Sequence, residues 1–120
     1  MIKLKRAYDS PDPQDGQRFL VDRLWPRGLR KNELPLDGWP KALAPSSELR
    51  SWYGHAPERW REFVARYGSE LDRHGEAFQQ LLAAARAGDI TLITATRDLE
   101  HSNAAALKQF VEQSLAEHTS

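Results

Sequence analysis

The chain contains no cysteine. Disulfides, thiolate nucleophiles and cysteine-ligated zinc or iron–sulfur sites are therefore excluded. No apolar run approaches the roughly 20 residues of a membrane-spanning helix, and the first residues lack the apolar centre of a secretory signal. A membrane is thus not an expected partner. A cytoplasmic location is the expectation, and a cysteine-free chain permits it. Net charge is missing too: 17 basic and 17 acidic side chains cancel, which rules out a globally basic nucleic-acid coat. Neither Gly-x-Gly-x-x-Gly nor Gly-x-x-x-x-Gly-Lys-Ser/Thr occurs, so no standard dinucleotide or P-loop site is predicted. No Gly-x-Ser-x-Gly elbow marks a serine nucleophile. His55, His74, His101 and His118 show no two-histidine ligand spacing, and no structural metal is expected. No motif identifies a cofactor, and oligomeric state carries no sequence signal.

What is present reads as one globular domain over residues 1–120. Hydrophobic residues at 40% and charged residues at 28% are ordinary for a soluble protein, and a chain this long buries roughly two thirds of its unfolded surface. The organising stretch is Arg18-Phe-Leu-Val-Asp-Arg-Leu-Trp-Pro-Arg-Gly, ending at Gly28. Phe19, Leu20 and Val21 form an apolar run without alternation, which predicts a strand buried on both faces from Arg18 to Leu24. Trp25-Pro26-Arg27-Gly28 then suits a type I turn, with Pro second and Gly fourth, displaying Arg27. From Arg18 to Lys31 there are five positive charges (Arg18, Arg23, Arg27, Arg30, Lys31) against Asp22 alone. That excess favours an anionic partner; the alternative is a solvated basic edge.

Ahead of it, Ile2 and Leu4 alternate with Lys3 and Lys5, a short half-buried strand whose lysines would discourage edge mispairing. Asp9 to Gln17 is a proline- and aspartate-rich loop of nine residues, too short for an ordinary helical crossover. The first strand therefore pairs antiparallel with the second or uses a truncated crossover, and we favour the former. After Gly28, Pro35, Gly38, Pro40 and Pro45 punctuate an apolar region, with a helical turn expected around residues 37–43. Ser46 suits an N-cap for a helix over 47–52 ended by Gly54. Trp60, Phe63, Val64, Tyr67 and Leu71 recur at helical spacing, with Glu62–Arg66 and Arg66–Glu70 as surface pairs. A further helix over 76–87 carries Phe78, Leu81, Leu82 and Ala85 inward. Ile90 to Ala95 is a third strand, and Ser102 or Asn103 caps a last helix whose end is expected to fray. The order predicts an α/β fold, with three or four mostly parallel strands flanked by helices in Rossmann-like layering. The helical segment between the second and third strands is long enough for a parallel crossover.

If those two strands are parallel, their carboxyl ends deliver residues 22–28 and 96–103 to one crevice, where open α/β sheets bind ligands. Arg23, Arg27 and Arg97 offer planar donors for phosphate or carboxylate. The backbone N–H groups of Asn103, Ala104 and Ala105 at the start of the last helix would complement them, and Ser46 and Arg50 could add to the same pocket. Asp22, Asp98 and His101 are the candidate acid/base groups, with Asp98 three residues before His101 and able to orient its imidazole. The competing reading is that Asp22 or Asp98 merely pins a loop, and that Trp25 packs rather than stacks.

Val21-Asp22-Arg23-Leu24-Trp25-Pro26-Arg27-Gly28, Ala44-Pro45-Ser46-Ser47-Glu48-Leu49-Arg50 and Thr96-Arg97-Asp98 through His101 and Asn103 closely resemble the bacterial YeaO-like family, a branch of domain of unknown function 488. The resemblance runs almost end to end, through Tyr53-Gly54-His55 and Thr91-Leu92-Ile93. It implies a compact cytosolic α/β protein whose signature segments are the clusters above, and it supplies no reaction. Family members commonly carry a different pair near Thr96-Arg97. Two functions follow as expectations. One is an enzyme acting on a nucleotide, phosphorylated metabolite or nucleic-acid end. The other is a non-catalytic module that senses an anion or docks a partner.

Overall fold

A computed structural model describes residues 1–117; His118 and the chain end expected to fray lie outside the described residues. Three parallel strands, β1 (Ile2–Arg6), β2 (Gln17–Leu20) and β3 (Ile90–Thr94), form one sheet in the order β1-β3-β2. Among the described residues four α-helices accompany them: α1 (Ser47–Tyr53), α2 (Trp60–Leu71), α3 (Gly75–Ala87) and α4 (Asn103–Glu117). The central strand β3 is buried along its whole length, as its unbroken Ile-Thr-Leu-Ile-Thr run requires. Among the described residues no helix is long and apolar enough to cross a membrane.

The antiparallel expectation for the first strand is overturned: β1 and β2 each pair in parallel with β3, which lies between them. Distance explains how so short a loop manages it. The return must cross two strand spacings, about 10 Å, and run back along a strand of about 17 Å. The ten residues from Ala7 to Gly16 reach about 33 Å when extended, so no helix is needed. A single 3-10 turn, Pro13–Asp15, suffices, with Asp12 capping it through the N–H of Gln14. At its exit Gly16, at φ +65°, lies so close to Asp89 that a Cβ would overlap the Asp89 carbonyl oxygen. The N–H of Gln17 donates to that same carbonyl at 3.1 Å.

The two faces of the sheet are covered differently. Ile2, Ile90, Leu92 and Val21 belong to the main core with Phe63, Tyr67 and Leu71 of α2, Leu81 and Leu82 of α3, and Leu107 and Val111 of α4. Each such side chain stabilises the fold by about 1.5–3 kcal/mol on burial. The other face carries a smaller cluster of Ala7, Leu20, Leu34 and Ile93, edged by Trp25, Leu29, Leu36 and Trp39. Beside it the crossover is tied down by charge. Lys5 Nζ donates to Asp15 at 3.0 and 3.1 Å and to the Ser10 carbonyl at 2.8 Å. Lys3 Nζ holds the Gln14 carbonyl, and Arg18 pairs with Asp15. The lysines thus anchor the crossover instead of guarding an edge. Arg18, only 6% exposed, is buried and so is no part of the basic edge that residues 18–31 suggest.

Four local expectations are revised. Strand β2 stops at Leu20, although Val21 N–H still reaches the Ile93 carbonyl at 3.0 Å. The turn is shifted by one residue: Leu29 N–H faces the Pro26 carbonyl, with Gly28 third in the turn at φ +86°, a conformation that suits glycine. The helical turn after Asp37 shrinks to Lys41–Leu43, because Asp37 and Gly38 instead hydrogen-bond to the backbone of β2. Glu62 does pair with Arg66. Glu70, however, turns away to accept from the N–H and hydroxyl of Ser46 at 2.8 and 2.6 Å.

Candidate functional site

Beyond the carboxyl ends of β2 and β3 the chain closes around one carboxylate. Asp22 accepts hydrogen bonds from the Thr94 hydroxyl at 2.7 Å, the Ala95 N–H at 2.8 Å and the Asn103 amide at 3.1 Å. The same Asn103 amide donates to the Val21 carbonyl at 2.9 Å, and the Trp39 indole donates to the Asp22 carbonyl at 2.6 Å. Three segments far apart in sequence are thereby locked together. A carboxylate has about four acceptor sites, and three neutral donors already occupy this one. Its chief visible work is positioning. Nearby, burial pushes the Tyr67 hydroxyl well up, aided by the charges of Asp22 and Glu70, and that hydroxyl donates to the Leu43 carbonyl.

A crevice of about 700 Å³ opens beside this knot. Residues 22–27 form one wall and residues 95–98 with 101–103 another. Pro45, Ser47, Arg50, Ser51, Tyr53 and His55 come from α1 and its flanks, Phe63 from α2, and Tyr8 from the exit of β1. Arg23, Arg27, Arg50 and Arg97 all line it and are all exposed. Among the described residues none of the four has a carboxylate at ion-pairing distance. Arg23 Nη2 donates to the Pro45 carbonyl at 3.3 Å. Tyr8 donates its hydroxyl to the Arg27 carbonyl at 2.9 Å.

His101 Nδ1 lies 2.8 Å from Asp98 Oδ2. That hydrogen bond holds the Asp98 carboxyl below the usual carboxylate range, and in turn it can fix the tautomer of the ring. The imidazole also meets Trp60 edge-on at 5.4 Å between ring centres, and its backbone carbonyl accepts the Tyr53 hydroxyl at 3.0 Å. Burial raises the Tyr53 hydroxyl above its ordinary value, with Asp98 and Glu58 adding to it.

The structure therefore brings Asp22, Arg23, Arg27, Arg50, Arg97, Asp98, His101 and Asn103 around one opening. Ser46 stands apart: its hydroxyl accepts the Leu49 N–H as the cap of α1 and donates to Glu70. At the start of α4 the expectation is trimmed, because Ser102 Oγ already accepts the Ala105 N–H at 3.1 Å. Trp25 is half-buried, edge-on to Trp39 at 5.6 Å, with its indole N–H on the Leu29 carbonyl. Tyr8, Tyr53 and His55 were not assigned to the crevice from sequence. Tyr8 follows β1 directly, so a parallel reading of that strand would have found it. His55 has φ +57°, a conformation uncommon outside glycine that only the folded backbone reveals.

Comparison with known proteins gives a consistent result. A family model described as "Inactive DUF488-N3 subclade" matches residues 1–120. The chain is 44% identical over 110 residues to "Uncharacterized protein Rv3073c" of Mycobacterium tuberculosis, covering 92% of each. It is 36% identical over 110 residues to "Uncharacterized protein YeaO" of Escherichia coli, covering 92% of this chain and 96% of that one. No solved structure matches.

Proposed function

The chain belongs to the DUF488 family, in its YeaO-like branch, and from that premise we propose that its crevice binds a small anionic ligand without transforming it. One observation carries this reading: four guanidiniums line a crevice of about 700 Å³ and, among the described residues, no carboxylate pairs with any of them. Arginine stays charged at any relevant pH and presents forked donors that match phosphate and carboxylate. Of the two carboxylates in the lining, Asp22 is taken up by neutral donors and Asp98 by His101, and neither forms an ion pair with an arginine. The same engagement argues against Asp22 as a proton shuttle, and the word "inactive" in the matching family's description points the same way. On this reading the chain acts as one domain in the cytoplasm.

The test is a thermal-shift panel of phosphate, sulfate and phosphorylated metabolites on wild type and Arg27→Ala. A ligand at 100 times its dissociation constant adds about 2.7 kcal/mol to stability. The stabilisation should fall sharply in the variant; a ligand that stabilises both equally would remove Arg27 from the site. A second reading, an acid/base enzyme, is favoured by the Asp98–His101 pair at the crevice wall. Turnover of a bound ligand that vanishes in His101→Gln would replace the first reading with the second.

A further inference from the structure

The crevice is much larger than a bare phosphate needs, and its walls are not uniformly polar. Among the described residues the large hydrophobic side chains left exposed are Met1, Tyr8 and Leu24, and the last two line this opening. Tyr8 is 46% exposed and Leu24 65%. Tyr8 is nonetheless held firmly. Its hydroxyl donates to the Arg27 carbonyl at 2.9 Å, and the Arg6 guanidinium stands 5.6 Å from its ring centre. A ring fixed beforehand loses little freedom when something flat stacks on it. Its anchor is the backbone of Arg27, so aromatic surface and cation are presented side by side.

Resting on the anion-binding reading above, we propose that the ligand is a nucleotide, its phosphate held by the crevice arginines and its base laid against Tyr8 and Leu24. Small-molecule pockets fall in the range of about 300–1,000 Å³, which suits a mononucleotide or the terminal nucleotide of a strand. Aromatic stacking accepts any base because every base has a π-face. Nothing in this arrangement requires a particular base.

Calorimetric titration of inorganic phosphate, the four ribonucleoside monophosphates and a 5′-phosphorylated tetranucleotide tests it, on wild type, Tyr8→Ala, Tyr8→Phe and Leu24→Ser. Both positions are exposed, so the variants should fold, and far-UV circular dichroism checks that they do. Wild type should bind at least one monophosphate roughly tenfold or more tighter than phosphate, the scale of one stacked base. Tyr8→Ala should erase most of that advantage, weakening monophosphate binding far more than phosphate binding, and Tyr8→Phe, which keeps the stacking face but loses the anchor to the Arg27 carbonyl, should retain part of it. Tighter binding of the tetranucleotide would identify a strand end as the source, and weaker binding a free nucleotide. Equal affinity for phosphate and monophosphates, or an advantage that survives both Tyr8→Ala and Leu24→Ser, overturns the proposal and leaves the anion-binding reading standing. If phosphate and nucleotides all fail to bind wild type, both fall together.

Discussion

Asp15 and Asp22 each tie a loop to the same sheet, yet they do it with opposite chemistry. Asp15, 3% exposed, is held by two cations, Lys5 at 3.0 Å and the buried Arg18, and by the N–H of Asp12 at 3.1 Å. Asp22, half-buried, is held by a hydroxyl, a backbone N–H and an amide. A buried carboxylate needs compensation, and either set of donors supplies it. What differs is what remains afterwards. The Asp15 knot ties both of its cations to the carboxylate. The Asp22 knot involves none, and among the described residues the arginines around the crevice have no carboxylate partner.

The comparison can be broken most violently at Asp15. Asp15→Ala strands Arg18 in the interior, and removing one partner of a buried pair costs about 3–5 kcal/mol, measured by urea unfolding. A loss below about 1 kcal/mol, the scale of a surface pair, would show that charge does not secure the crossover. Asp22→Ala should cost less, about 2–3 kcal/mol, because water can reach some of the donors it abandons. If it cost more than Asp15→Ala, the neutral knot would be the stronger one and the contrast would invert. The smallest effect is in pH dependence. Burial pushes the Asp15 carboxyl up, but Lys5, the Asp12 backbone and Arg18 together bring it below its ordinary value. A carboxyl lowered in the folded state stabilises above its unfolded pKa of about 3.9 and loses that contribution as pH falls through the folded value. Wild type should therefore weaken below about pH 4 more steeply than Asp15→Ala. The exposed Asp89 and Asp98, also lowered, contribute equally to both proteins. Identical slopes would absolve Asp15.

Much of this architecture was legible in local pattern. The β3 run, the Ser46 cap, the Gly54 stop and the stripe of α2 depend on near neighbours, and each appears where spacing placed it. The expected convergence of residues 22–28 with 96–103 rested on a single inference, that β2 and β3 run parallel, and residues 22–27 do meet 95–98 and 101–103. Other features depended on partners far along the chain. Lys3 and Lys5 alternate as edge guards would, and only the folded crossover shows their ammonium groups held by Gln14, Ser10 and Asp15. Arg18 reads as surface charge until Asp15 and the Pro35 carbonyl enclose it. Misjudging the direction of β1 also hid Tyr8, since an antiparallel strand would have delivered it to the opposite end of the sheet.

Gly16 lies at the far end of the sheet from the crevice, yet it acts as the zero mark from which the crevice is measured. With no side chain, its backbone can press against Asp89, which brings Gln17 level with Ile90 and carries the alignment up to Leu20 beside Ile93. Strand residues alternate faces with a period of two, so a one-step slip would turn the core-facing set outward. It would also carry Asp22 out of line with Thr94 and Ala95. The mouth of the crevice thus owes its alignment to a missing methyl group at the opposite pole of the molecule.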